Sequence, residues 1–424
     1  MEPLALFGGP TSFNRELSPY NPYGEEEVAA ASAVIRSGCL SSFIGAWAEG
    51  FYGGPQVRAF EAEWAEYFGV KHAVSVNSLT SGLICAVGAL NIEPGDEIIV
   101  SPWTMSASAT SILIWNAIPV FADIDPITFN LNPQAVRQKI TTRTRAIMVP
   151  SIFGYGADFI ELKKIAVEFN LKIIEDAAQS PGVNYEGKWV GTWGDIGGFS
   201  LNYHKHIHTG EGGICVTNDD VLAERMRLIR NHAESVVERK GETQINNMLG
   251  FNFRLGEIEA ALGRCQLKKL SSKVQDRFVM GQHLQRLLAD LPGLATTPVT
   301  GNNGHAYYVF GMVLDTALLK VSRAKIFEAL KAEGVPSLAT AYVNVHRLPM
   351  YTQKIAYGTQ HFPWVIGDVT STVEYGSGTC PVAEQLQDER YLGFAICQYD
   401  FTVEDMSAIA AAFHKVWAQL ELLR

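Results

Sequence analysis

Between Lys71 and Ser180 short apolar segments recur at a steady rhythm: AVSV at 73–76, EIIV at 97–100, PVFADI at 119–124, AIMVP at 146–150 and KIIEDA at 172–177. Helical patterns over Leu79–Leu90, Met105–Asn116 and Ile160–Asn170 separate most of them. Strands spaced by helices in this way predict an α/β fold, a mainly parallel sheet with helices on both faces. Ligands of such sheets lie beyond the carboxyl ends of the strands. The loops after each apolar run are therefore where chemistry is expected.

The remaining sequence divides around this block. Met1–Tyr23 is rich in Pro, Gly and Asn and reads as an extended arm, followed by helices over Glu25–Ser37 and Gln56–Phe68. After Thr192 come two Gly-rich strand patterns, GDIGGFSL and GGICVTN, and a basic helix over Val221–Asn231. A long helix from Leu255 to about Asp290 leads to the strand pattern YYVFGMVL and helices over Ser322–Glu333 and Val403–Leu423. The chain of 424 residues suits two units, expected as an arm at 1–23, a large domain at 24–270 and a smaller α+β domain at 271–424. With 47% hydrophobic and 18% charged residues it can bury a large core, which excludes disorder. A formal charge of -10 excludes a global cationic field for nucleic acid or anionic membrane. Six scattered cysteines without a CxxC pair suggest free thiols in a reducing compartment. No apolar run reaches the roughly 18 residues of a membrane span, so a cytoplasmic protein is expected.

Three loops carry candidate chemistry. In Ser75–Gly82 hydroxyls and free N–H groups meet at a helix start, where Thr80 and Ser81 could bind phosphate or simply cap the helix. Asp176 ends an apolar strand, a place for a helix cap or for a carboxylate kept for a cation such as a protonated pyridine nitrogen. The small Ala177 and Ala178 beside it would admit a flat ring. Lys205 lies in a stretch short of charge between glycines, where desolvation would favour the nucleophilic amine, although a solvated lysine is the commoner case. His204, His206 and His208 alternate around it, but no local carboxylate or cysteine completes a metal-ligand set, so no metal is expected. Phosphate loop, strand-tip acid and lysine together are the parts that pyridoxal phosphate enzymes need.

Ile174–Ser180 (IEDAAQS), Phe199-Ser200, Lys205 and Thr209–Gly213 (TGEGG) resemble the DegT/StrS family of sugar aminotransferases, within the fold-type I, aspartate aminotransferase superfamily. Asn77–Thr80, Pro94–Glu97, Gly250–Arg254 and Cys380–Glu384 match further family stretches in order. The resemblance implies pyridoxal 5'-phosphate as cofactor, with Lys205 forming the Schiff base and then carrying the proton. It implies Asp176 against the pyridinium nitrogen, Ala178 on a ring face, Gln179 near the ring hydroxyl, and Thr80, Ser81 and Ser200 on the phosphate. Asn252 resembles an asparagine that reaches the phosphate from a neighbouring subunit, implying a homodimer with a shared active site. Tyr342 and His346 lie in a stretch similar to a substrate loop. Leu79 stands where the family usually has Gly, and Met105 where it usually stacks an aromatic ring on the cofactor; Trp103, two positions earlier, offers another ring.

A related dehydratase branch carries histidine in place of the lysine; here the position four before Thr209 is Lys205, which favours transamination. The expected reaction is conversion of a keto group on a nucleotide-linked deoxysugar to an amine, with glutamate or glutamine as donor. A cyclitol ketone is the alternative substrate, and a non-catalytic, cofactor-binding regulatory protein the alternative class. Arg230, His232 and Arg254 are possible partners for a diphosphate.

Overall fold

In the computed structural model, which describes residues 2–299 and 304–424, the apolar segments are strands of one seven-stranded sheet. They are β1 (His72–Val76), β2 (Glu97–Val100), β3 (Ile118–Phe121), β4 (Thr144–Pro150), β5 (Lys172–Asp176), β6 (Ile196–Ser200) and β7 (Gly213–Thr217). Their order is β1-β7-β6-β5-β4-β2-β3. β7 is antiparallel to both its neighbours, and every other pair is parallel. Alternate residues serve opposite faces. Val74, Ile98, Val100, Met148 and Ile174 meet helices α3 (Leu79–Ala89), α4 (Ala107–Ile114) and α6 (Asp220–Arg230). Ile99, Ile147, Val149, Ile173 and Ile214 meet α2 (Pro55–Phe68), α5 (Phe159–Glu168) and α7 (Glu257–Leu288). Because both faces are covered, the strands read as unbroken apolar runs.

Helix α1 (Glu25–Ser37) opens on three glutamates and stops at Gly38, whose φ of 72° ends it in the left-handed conformation. Helix α4 starts two residues later than its pattern suggests. The reason is local: the Met105 thioether accepts the Ala107 N–H at 2.9 Å and closes a turn before the first helical residue. The closing helix, α9 (Val403–Trp417), is likewise shorter than its pattern, and Leu420–Leu423 forms a separate 3-10 turn.

The second unit holds an antiparallel sheet of order β8-β9-β11-β10, built from β8 (Leu294–Thr296), β9 (Phe310–Leu314), β10 (Leu338–Ala339) and β11 (Tyr391–Phe394). Helices α8 (Arg323–Ala332) and α9 complete its core. The 32-residue α7 runs through residue 270 without a break. Ala260, Leu267, Leu270 and Val274 belong to the core of the large sheet, and Met280, Leu284 and Leu288 to that of the small one. The N-terminal arm is not free. Leu4 and Phe13 are buried in the small unit's core, and the Ala5 and Ser12 N–H groups donate to Glu333.

Strand β7 passes directly behind the start of α3. A Cβ on Gly213 would lie 2.5 Å from the Leu79 nitrogen and 2.7 Å from the Ser78 carbonyl carbon. Those atoms are backbone and cannot swing aside. Gly213→Ala is expected to cost about 1–3 kcal/mol through overpacking; urea unfolding with an unchanged midpoint would show that the two elements are not in register as described.

Candidate active site

Strand alternation separates the two acids at the end of β5. Glu175 turns to one face, where it accepts the N–H groups of Gly191 (2.7 Å) and Gly194 (2.6 Å), and burial raises its pKa to about 7. Asp176 turns to the other, at the carboxyl end of the sheet. Its Oδ2 accepts the Ser108 hydroxyl at 2.7 Å and its Oδ1 the Ala178 N–H at 3.2 Å. Burial raises its pKa against the opposing pull of these bonds and of Lys205. Ser108, on α4, was not singled out in the sequence. Ser106, Thr110 and Ser111 carry hydroxyls in the same helical pattern, so nothing in the sequence sets Ser108 apart.

Lys205 follows β6 and is 7% exposed. Among the described residues it forms no ion pair, and its Nζ lies 4.3 Å from the centre of the Tyr308 ring. Burial lowers its pKa to about 8, with Asp176 and Cys397 pulling the other way. An amine of this kind is half in its nucleophilic form near pH 8, where a solvated lysine is almost wholly protonated. Neighbouring His204 is held neutral, its pKa lowered to about 4 by burial and by the Lys205 charge.

A cavity of about 190 Å³ brings together Asp176, Lys205, Ala178, Gln179, Thr80, Ser200 and Met105. Ser78, Asn202, His204 and Glu211, not assigned roles in the sequence, also line it. Thr80 and Ser200 thus present hydroxyls near the start of α3. Ser81 is used differently: its hydroxyl donates to Asn77 Oδ1 at 2.7 Å and its N–H to the capping Ser78 Oγ at 3.2 Å. Gln179 is fixed at both ends, accepting the Phe153 N–H (2.7 Å) and donating to the Tyr342 hydroxyl (2.9 Å). Tyr342 is thereby tied to the cavity wall, and burial raises its pKa to about 12. Leu79 lines the cavity and lies over β6, where a Cβ on Gly198 would be 2.5 Å from its Cδ1.

Other expected residues lie elsewhere. His346 is fully buried, bonded through Nε2 to Glu384 at 2.9 Å, and Glu384 is held in turn by Arg347 and the Gly378 N–H. Trp103 is buried behind the site, stacked on Phe129 and Tyr342. Asn252 is exposed on the surface loop and does not line this chain's cavity. Arg230 is fully buried and donates to Glu61 at 2.6 Å and to the Ser75 carbonyl at 2.9 Å, while Arg254 donates to Asn231. Both arginines are therefore engaged by the fold. The three alternating histidines part company: His204 lines the cavity, His206 bonds to the Ala306 carbonyl and His208 faces Tyr23.

The donor set suits pyridoxal phosphate. Hydroxyls at a helix start match its anionic end, a buried carboxylate matches a cationic ring nitrogen, and a buried amine with a lowered pKa matches its carbonyl.

Comparison with known proteins agrees. The profile of the DegT/DnrJ/EryC1/StrS aminotransferase family matches residues 40–389. GDP-perosamine synthase of Caulobacter vibrioides is 38% identical over 294 residues, 69% of this chain and 77% of that protein. The L-glutamine:2-deoxy-scyllo-inosose aminotransferase of Streptomyces kanamyceticus is 33% identical over 402 residues, 91% of this chain and 90% of that one. The structure of DesI with its TDP-sugar product superposes with a TM-score of 0.78 at 27% identity, covering 99% of this chain and 97% of that chain.

Competitive acylation of the cofactor-free chain between pH 6 and 11, read by peptide mass spectrometry, should give Lys205 a midpoint near 8, against about 10.4 for solvated lysines. A midpoint shared with the surface lysines would remove the case for a desolvated amine.

Proposed function

Because the chain belongs to the DegT/DnrJ/EryC1/StrS aminotransferase family and is a pyridoxal phosphate-dependent aminotransferase, we propose that it aminates a keto group on a nucleotide-linked deoxysugar, taking the amino group from glutamate or glutamine. The observation that carries this reading is the pairing of Asp176 with Lys205 in one cavity, in a chain whose relatives include GDP-perosamine synthase at 38% identity. Bound pyridoxal phosphate supplies the electron sink through which an amino group passes between two carbonyl carbons. Lys205 holds the cofactor through Nζ. The freed Nζ would take the proton from the donor's α-carbon and pass it to the cofactor's carbonyl carbon, and in the second half-reaction would move a proton from that carbon to the acceptor carbon; an amine whose pKa burial lowers to about 8 suits both directions. Asp176, oriented by Ser108 and the Ala178 N–H, holds the negative charge that keeps the ring nitrogen protonated. Thr80 and Ser200 bind the phosphate, Ser81 shapes the loop through Asn77, and Gln179 sets the position of Tyr342.

The large unit to residue 270 carries the cofactor, and the small unit supplies Tyr308 and Tyr342. Asn252, exposed and outside its own chain's cavity, serves the phosphate of a partner subunit, so the functional form is a homodimer. We place the protein in the cytoplasm, in keeping with six free cysteines; among the described residues no helix is long and apolar enough to cross a membrane.

One observation favours a free cyclitol ketone as the second reading: among the described residues no arginine lines the cavity, and Arg230 is committed to Glu61. A diphosphate would then need basic groups from outside it.

With glutamate or glutamine, the purified protein should convert its cofactor to pyridoxamine phosphate and release the matching oxo acid. Presenting that form with a nucleotide-linked keto-deoxysugar or a cyclitol ketone then separates the substrates, since only the true acceptor restores the absorbance of the lysine-bound cofactor. Turnover with the cyclitol alone would refute the nucleotide-sugar reading. Lys205→Ala should leave no borohydride-fixed cofactor on any peptide. Co-expressed Lys205→Ala and Asn252→Ala chains should recover activity that neither has alone, because each mixed dimer holds one intact site; no recovery would count against a shared site.

A further inference from the structure

The loop that carries Lys205 is neither helix nor strand between Leu201 and Gly212. Inside it the Lys205 N–H donates to the Asn202 carbonyl and the Thr209 N–H to the Leu201 carbonyl. Two carbonyls just after the lysine are answered from the N-terminal arm. The Tyr20 hydroxyl donates to the His206 carbonyl at 2.8 Å and the Tyr23 hydroxyl to the His208 carbonyl at 2.9 Å. Among the described residues no other group donates to either carbonyl. Tyr23 also sets its ring edge-on against the His208 imidazole, with centroids 4.7 Å apart. His206 and His208 are buried, and a buried carbonyl left without a donor is costly. The two hydroxyls therefore fix where this part of the loop can lie.

The arm is itself held at this point by the rest of the chain. The Tyr20 N–H donates to the Gln398 carbonyl at 3.1 Å and the Asp400 N–H to the Ser18 carbonyl at 3.0 Å, which joins the arm to the turn after β11 in the small unit. The Tyr20 ring lies 4.4 Å from the Arg277 guanidinium carbon on α7. The Pro22 carbonyl accepts the Lys269 ammonium at 2.9 Å and Gln266 Nε2 at 3.3 Å, and Gln266 Oε1 accepts the His208 N–H at 3.4 Å. Pro19 and Pro22 have a fixed φ, so the segment between the two tyrosines has little slack. We propose that Tyr20 and Tyr23 are positioning residues for Lys205, clamping the loop through its two carbonyls so that Nζ stays enclosed at the cavity wall. Nζ ends a side chain of four rotatable bonds, and its place depends first on where the backbone is held. Its contact with the Tyr308 ring, at 4.3 Å, belongs to the small unit. An arm bonded to both the loop and the small unit keeps amine and ring in register. Burial raises both phenols, that of Tyr23 to about 12, so the hydroxyls remain donors through the working range.

The inference rests on Lys205 being the reactive amine, and its first test is independent of turnover. Tyr20→Phe, Tyr23→Phe and the double variant keep both rings and remove only the hydroxyls. In the full-length, cofactor-free chain, a loop released from the arm lets water reach Nζ, so the Lys205 acylation midpoint should rise from near 8 by about half a pH unit or more in the double variant. Each single variant should move it the same way by less, and these serve if the double variant does not fold. In the loaded enzyme the single-turnover rate with a saturating amino donor should fall by about tenfold or more, with the half-saturating donor concentration unchanged, because geometry is lost and binding is not. Tyrosines that only anchor the arm would lower the urea midpoint and leave both readings in place. A Lys205 midpoint that stays at the wild-type value in folded variants, or an unchanged single-turnover rate, overturns the clamp. An error in the Lys205 assignment would show separately, as cofactor attachment that survives Lys205→Ala.

Discussion

Removing a lysine amine from water without a carboxylate in contact with it is the constraint on which the site depends. The ammonium form loses hydration that the protein does not replace, and the pKa falls toward 8. Holding such a group requires a rigid surround. Lys205 has one: Tyr308 from the small unit under its Nζ, and β6 and β7 fixing the loop that carries it. Asp176 contributes charge at longer range, restrained by Ser108 and a backbone N–H so that it faces the cavity and not the amine alone.

The hydroxyl-lined end of the cavity depends on a different device. Helix α3 starts almost in contact with β7, and Gly213 makes that approach possible. Ser78 and Asn77 then hold Ser81, leaving Thr80 to face outward. One short Ser/Thr-rich loop thus divides its hydroxyls between closing the helix and lining the cavity. Capping and cavity lining, alternatives for one residue, fall here on neighbouring ones: Ser78 and Ser81 serve the helix start and Thr80 the cavity.

The large sheet is legible because its strands are buried on both faces and read as short apolar runs, and the motif from Ile174 to Gly213 contains both Asp176 and Lys205. Other features were not legible because they depend on partners far along the chain. His346 is tied to Glu384, 38 positions away, and Arg230 to Glu61, 169 positions away, partners that no local sequence pattern contains. Ser108 carries no distinguishing mark in a helix of small residues. Helix starts shifted for local reasons such as the Met105 thioether, which periodicity cannot register.

The arm has a consequence for the order in which the molecule is completed. Leu4 and Phe13 are buried among residues of the small unit, and the arm's polar atoms are answered by Glu333 and Lys415, the latter donating to the Pro10 carbonyl. Residues 4–13 therefore cannot be seated until Glu333 and Lys415, more than 300 positions later in the chain, are in place. Because Tyr20 in the same arm donates to the His206 carbonyl beside Lys205, the surround of that lysine is complete only once the arm has been seated on the small unit.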